Sequence, residues 1–259
     1  MFPIRDENPL VRPPVATIAL VGLNIASWVF VQGFGSHAAL THSLCLYGLI
    51  PGDLLGTASP GISVPLGPDA VCVLDGSGAL MTPITSMFMH GGWFHVIGNL
   101  WFLWVFGDNV EDAMGVPRFV VFYLLCGLAA ALAQVITDPD SVVPMVGASG
   151  AIGGVMGAYA RLYPRARIHT LLFIGFFFTT FSISAVAMLG YWFLIQILSG
   201  LPALAGASTG VAFWAHVGGF VAGLVLAGPF HQPRYLEEHR RRLVRQSAST
   251  GKLDRGSRR

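Results

Sequence analysis

The chain has 259 residues, of which 54% are hydrophobic and only 11% charged, with a net charge of +2. An ordinary water-soluble domain carries about 25% charged residues, so there is too little polar surface here to face water on all sides. A mean hydropathy of +0.65, with 32 glycines and 18 phenylalanines, excludes a soluble enzyme, a disordered tail protein and a disulfide-built secreted domain. What remains is a polytopic α-helical membrane protein.

Residues 1–14 mix Arg5 and Arg12 with Asp6 and Glu7 and end in two prolines, a pattern unlike a transit peptide. The apolar run that follows lacks a cleavage site, so the segment reads as a short N-tail leading into a retained span. A membrane-crossing helix needs about 20 mostly apolar residues. Candidate spans run Val15–Val31, Trp93–Phe106, Phe119–Ile136, the short Ser149–Leu162, Ser184–Ser199 and Ser208–Phe230. Thr170–Phe181, rich in Phe and Thr, is expected to be a hairpin or interfacial loop dipping toward the bilayer. Residues 37–81 form a long Gly/Pro-rich outer loop, expected to lie as a partly ordered cap on the membrane.

Positive charge favours the cytoplasmic side. With six spans and both termini inside, Arg5 and Arg12, Arg118, Arg161, Arg165 and Arg167, and the nine basic residues after Phe230 all fall on that side. They are every Lys and Arg in the chain. The outer segments hold only acidic charges, among them Asp53, Asp69, Asp75, Asp138 and Asp140. Splitting Ile168–Leu198 into two spans would put the nine tail residues outside. The expected fold is therefore all-α, a six-transmembrane-helix bundle at 15–230, flanked by the N-tail and a basic cytoplasmic tail at 231–259. That tail reads as an anchor on anionic lipid; it lacks the interleaved aromatics of a nucleic-acid binder. Cys45 and Cys72 share the outer loop and could pair in an oxidising compartment, which spacing alone leaves open. No CxxC or Cys/His ligand spacing appears, so no metal or other cofactor is expected.

Polar side chains inside lipid are costly and mark functional positions by default. Asn99 lies 12 residues before Glu111, Ser149 12 before Arg161, and His216 13 before Pro229. At ~1.5 Å per residue each stands ~18 Å above the inner boundary. In a hydrocarbon layer ~30 Å thick, that is ~10 Å below the outer surface. Three spans running in one direction thus bring an amide, a hydroxyl and an imidazole to one level. Ser149 is followed by Gly150, Gly153, Gly154 and Gly157, and His216 by Gly219 and Gly223. Such small residues four apart let helix backbones approach closely.

A serine hydroxyl needs a neighbouring base, and a neutral imidazole suits that task. No Asp or Glu is available at this depth to orient His216, which points to a dyad rather than a triad. Attack on an amide also needs donors for the developing oxyanion. Asn99 offers an NH2 group, His95 lies one turn away on the same helix face, and the Ser149 backbone N–H opens a helix. Each residue has a plainer reading: Ser149 as a helix cap, His216 as a packing residue or proton relay, Asn99 as glue between helices. His90, His95 and His216 as a metal set rank low, because no carboxylate joins them and HExxH is absent.

The run His90-Gly-Gly-Trp-Phe-His95-Val-Ile-Gly-Asn99 resembles the second-helix motif of rhomboid intramembrane serine proteases. Gly147-Ala-Ser149-Gly150 is similar to their nucleophile motif, and Ala215-His216-Val-Gly-Gly219-Phe-Val-Ala-Gly223 to their sixth-helix histidine motif. Gly107-Asp-Asn-Val-Glu111-Asp-Ala-Met-Gly115 is similar to their inner-end GxxxExxxG element. The four occur in family order across about Thr82 to Phe230. The resemblance implies Ser149 as nucleophile and His216 as general base. It implies His95 and Asn99 at the oxyanion site, His90 as nearby support and Glu111 in a structural network at the inner end of the second helix. Two positions depart from the family: there is no Trp-Arg pair in the outer loop, and Gly153 stands where some members have a tyrosine packed on the histidine.

The expected activity is hydrolysis of single-pass transmembrane protein substrates near the outer face, with the fifth helix and the loop after it as a lateral gate. The short N-tail favours a bacterial plasma membrane. The alternative is a non-catalytic rhomboid-like protein that binds membrane helices, though such proteins usually lack the serine or the histidine. A small transporter would show inverted repeats, which this sequence does not.

Overall fold

The structure is a computed structural model that describes residues 2–67, 70–174, 177–204 and 210–256. Asp69, residues 208–209 at the head of the sixth expected span and residues 257–259 of the basic tail lie outside the described residues. In chain order the elements begin with strand β1 (Phe2–Asp6) and helix α1 (Val15–Ala26), which a π-helical turn continues to Val31. The 37–81 segment then holds α2 (His37–Tyr47), α3 (Pro51–Leu54) and strands β2 (Ser63–Gly67) and β3 (Ala70–Val73). There follow α4 (Thr82–Thr85), α5 (Trp93–Met114), α6 (Val116–Thr137) and α7 (Ser149–Leu162). Strands β4 (Arg167–Ile174) and β5 (Phe177–Ser184) lead to α8 (Ala185–Leu204), α9 (Phe213–Phe230) and α10 (Pro233–Gly256).

A helix occupies each of the six expected spans. Among the described residues, α6, α8 and α9 are long and apolar enough to cross a membrane. Helix α5 has the length, but it extends eight residues beyond its expected end and carries Asp108, Glu111 and Asp112 in its last turns. Helix α7 has only 14 residues, ~21 Å, and nearly all are buried, which makes it the central post of the bundle. Gly115, with φ of 79°, turns the chain between α5 and α6, and Pro117 sets the first turn of α6.

The all-α expectation needs correcting. Among the described residues two small antiparallel sheets accompany the helices, one ordered β1-β4-β5 and one pairing β2 with β3. The expected Thr170–Phe181 hairpin falls within the pairing of β4 with β5, in the register Arg167↔Ser184 and Leu171↔Thr180, with 175–176 outside the described residues. Its β-branched and aromatic content suits a pleated, half-buried surface. The N-tail is not a plain tail. Phe2–Asp6 pairs with β4, and the indole of Trp101 donates to the Pro3 carbonyl at 2.6 Å. A five-residue strand containing proline gives no period to read, and its edge position is what tolerates the proline. Within 37–81 a disulfide joins Cys45 on α2 to Cys72 on β3, tying helix to hairpin.

The core centres on α7 packed between α6 and α9. A methyl group added at Gly219 would run into the Gly150 carbonyl oxygen, and one at Gly223 into that of Gly154. A Cβ at Gly157 would strike the Phe220 carbonyl. The α7 and α9 backbones are thus in direct contact over about two turns, an approach only glycine allows. Lower down, Arg161 Nη1 donates to the Leu224 carbonyl at 2.6 Å and to that of Val225 at 3.3 Å. The second acceptor is free because Pro229 lacks the N–H that would bond it.

The end of the bundle away from Ser149 is tied by charge. The Glu111 carboxylate accepts the N–H groups of Ala16 (2.8 Å) and Thr17 (2.7 Å) and the Thr17 hydroxyl (2.8 Å), capping α1 from another helix. Asp112 accepts the backbone N–H of Val11 and Arg12 and pairs with the Arg12 guanidinium at 3.1 Å. That guanidinium also pairs with Glu238 and lies 3.6 Å over the Tyr235 ring, both on α10. The C-terminal segment thus begins as a helix docked on the bundle, with His239 buried against Tyr163. At β1 the Tyr159 hydroxyl donates to Asp6 and accepts from the Asn8 amide at 2.9 Å.

Gly219→Ala or Gly223→Ala should force α7 and α9 apart, at a cost of ~1–3 kcal/mol or more, and lower the unfolding temperature. Gly22→Ala on α1, where a Cβ would meet nothing within 4 Å, should leave it unchanged or slightly raised. Burial, offset in part by the Tyr159 hydrogen bond, pushes the Asp6 carboxyl up from 3.8 to about 7. The folded state then holds the proton that the unfolded state releases between these values, so docking of β1 should be strongest below pH 4 and weaken up to about pH 7. Hydrogen-exchange protection of β1, corrected for intrinsic rates, should fall over that window and become flat in Asp6→Asn.

Candidate active site

The turn that delivers Ser149 is fixed from several sides. Met145 and Leu49 exchange backbone hydrogen bonds at 2.7 and 2.9 Å, and the Gly147 N–H donates to the Ser86 carbonyl at 2.9 Å. Gly147 has φ of 127°, and a Cβ there would lie 2.6 Å from His95 Nε2, so both backbone and space demand glycine. Helix α7 then starts at Ser149. Its Oγ stands 2.8 Å from His216 Nε2 on α9, across the interface where Gly150 and Gly219 meet. An alcohol and an imidazole at this distance can exchange a proton.

On its other edge the imidazole is held by a residue that sequence reasoning missed. Gln196 Oε1, on α8, is 2.8 Å from His216 Nδ1. Its signal was present: a lone amide between Ile195 and Ile197 in an apolar helix is costly for the same reason as Asn99. The ring is flanked by Trp192 of α8 at 6.0 Å and Phe213 at 6.3 Å between centroids. At Gly153 an added Cβ would lie 3.1 Å from the His216 carbonyl, a tight contact, and glycine leaves no side chain there to pack on the ring. Packing on the imidazole comes instead from Trp192 of α8 and Phe213 of α9.

His95 Nδ1 accepts the Gly91 N–H at 3.2 Å, so in its neutral form Nε2 carries the hydrogen, beside the Gly147–Ser149 turn. His90 is fully buried with its ring edge-on to His95, centroids 5.2 Å apart. Its main chain is clamped by Gln32, whose amide accepts the His90 N–H at 2.9 Å and donates to the His90 carbonyl at 2.8 Å. Asn99 lies one turn from His95, buried, and its amide nitrogen has no hydrogen-bond partner among the described residues.

A cavity of about 740 Å³ has Ser149, His216, His95 and Gly147 in its wall, with Val146 and Phe213. Asn99 and His90 are not part of that wall, and Glu111 is remote at the C-terminal end of α5, capping α1. The structure thus gathers Ser149, His216 and His95 at one cavity, with Gly150, Gly219 and Gly223 setting the helix approach beneath.

Residues 77–233, more than half of the chain, match the family model described as the Rhomboid domain. The chain belongs to the rhomboid family. It is 29% identical over 155 residues to the rhomboid protease GluP of Bacillus subtilis, covering 60% of this chain and 26% of that protein. It is 35% identical over 75 residues to RHOMBOID-like protein 5 of Arabidopsis thaliana, covering 29% and 24%. With the mitochondrial rhomboid protein 1 of Saccharomyces cerevisiae it shares 34% identity over 95 residues, covering 35% and 27%. The chain thus spans about a quarter of the length of these relatives.

Gly147→Ala should displace His95 and the Ser149 turn and lower the unfolding temperature. Gly91→Ala, whose Cβ would meet nothing nearer than His95 Nδ1 at 3.7 Å, should not. A thermal series of the two variants checks the claim.

Proposed function

We propose that this rhomboid-family chain is an intramembrane serine endopeptidase that cleaves transmembrane helices near the outer membrane face. The observation that carries the reading is the 2.8 Å contact between Ser149 Oγ and His216 Nε2 in a cavity wall. His216 accepts the Ser149 proton as the oxygen attacks the scissile carbonyl, then returns it to the leaving amine. The negative charge on the carbonyl oxygen is met by His95 Nε2–H, the Asn99 amide and the Ser149 backbone N–H. The unpartnered, buried Asn99 amide supports this role, because a donor left without an acceptor is costly unless a substrate completes it.

The chain crosses the membrane six times with both ends on the cytoplasmic side, as the Lys and Arg distribution supports. The Cys45–Cys72 bridge fits an outer loop in an oxidising compartment, such as the outside of a bacterial plasma membrane. The substrate is a single-pass helix that unwinds easily and has a small residue at the cut, because helical carbonyls must first be freed. It enters beside α8 and the loop after it. The basic C-terminal segment rests on anionic lipid.

Ser149→Ala and His216→Ala should each reduce cleavage of a model transmembrane substrate in liposomes by more than ~10³-fold while the protein stays folded. Asn99→Ala should lower kcat by ~10²–10³-fold with little change in KM. A serine-reactive fluorophosphonate should label wild type and not Ser149→Ala. Undiminished hydrolysis by Ser149→Ala would overturn the reading.

A further inference from the structure

We infer that Gln196 is a positioning residue for this chemistry, completing a Ser149–His216–Gln196 line in which a neutral amide stands where a carboxylate often orients the base. The inference rests on the serine-protease reading above. Gln196 is 8% exposed, and its side-chain oxygen lies 2.8 Å from His216 Nδ1. An amide oxygen only accepts, so Nδ1 carries the ring hydrogen. A neutral imidazole has one N–H, which leaves the Nε2 lone pair bare and facing Ser149 Oγ at 2.8 Å. That is the tautomer able to take the serine proton. The opposite tautomer would donate to the hydroxyl and could not activate it.

In the step itself the Oγ–H proton passes to Nε2 as the Oγ–C bond forms and the carbonyl electron pair moves onto oxygen. When that pair re-forms the carbonyl, the C–N bond breaks and the Nε2 proton goes to the departing nitrogen. The Nδ1 hydrogen stays on the ring throughout, donating to Gln196, and its bond strengthens while the ring is an imidazolium. A neutral acceptor does this without burying a permanent charge between apolar helices.

The groups around His216 are few. Helix α5 presents His95, α7 presents Ser149, and α8 presents Gln196 and Trp192. Asp138 and Asp140 lie in the cavity wall, on the loop between α6 and α7. Among the described residues no carboxylate bonds the ring.

Two substitutions test the role, read as kcat, KM and the pH profile of kcat/KM on a transmembrane substrate in liposomes. Gln196→Met keeps the volume and removes the acceptor; kcat should fall ~10–100-fold with KM within about twofold. Gln196→Glu keeps an acceptor and adds a charge that favours the imidazolium. It should retain kcat within ~10-fold and move the acidic limb to higher pH by about one unit or more. A side chain that merely packs would leave the Met variant at wild-type kcat and the Glu limb unmoved, and either result overturns the inference. Should Gln196→Met fail to fold, the Gln196→Glu limb decides alone. If Ser149→Ala is inactive while Gln196→Met is wild type, only this inference falls; if Ser149→Ala is active, the serine reading itself has failed.

Discussion

The contact between the α7 and α9 backbones governs the site. Gly150 and Gly154 on one helix meet Gly219 and Gly223 on the other with no side chain between them. Two helices carrying ordinary residues pack 8–10 Å apart, and at that spacing a serine on one and a histidine on the other would each need a long arm to meet. Removing the side chains beneath lets two short ones touch above. With glycine at 153, α7 puts no side chain against the imidazole there, and the ring is packed by Trp192 and Phe213 and hydrogen-bonded from α8. Gly127 and Gly218 extend the close packing to α6 and to Met87 of the preceding loop.

A second set of constraints works at the opposite end of the bundle, where charges take the part that glycines take near Ser149. Adjacent carboxylates on α5 divide the labour. Glu111 satisfies the open N–H groups of α1, and Asp112 holds the chain just before it. Both are buried, and each is matched by donors, the condition under which a buried charge can be kept. Helix α5 thereby carries His95 at one end and the anchor of α1 at the other, so its register sets both.

Much of this could be read from the chain. The six helical segments, the start of α7 at Ser149 and the shared level of Ser149 and His216 followed from apolar length, Lys/Arg placement and counting along spans. Those signals are long or repeated. Gln196 was legible in principle, because a single amide among isoleucines stands out, but a search for carboxylates as the orienting group passes over it. The strands were harder. Phe2–Asp6 is too short to show a period, and its pairing with β4 joins residues about 165 positions apart. The Asp6–Tyr159 and Arg12–Asp112 contacts also join distant residues, 153 and 100 positions apart, and nothing local in either partner announces the other.

The Arg12 guanidinium is shared by Asp112 of α5 and Glu238 of α10 while lying on the Tyr235 ring. The segment before α1 and the start of the last helix are therefore fastened to one rivet at the base of the bundle. Trimming away the last helix would bare one face of that rivet and leave Asp112 to hold it alone, so a shortened protein would feel the cut first in the leading segment, more than two hundred residues upstream.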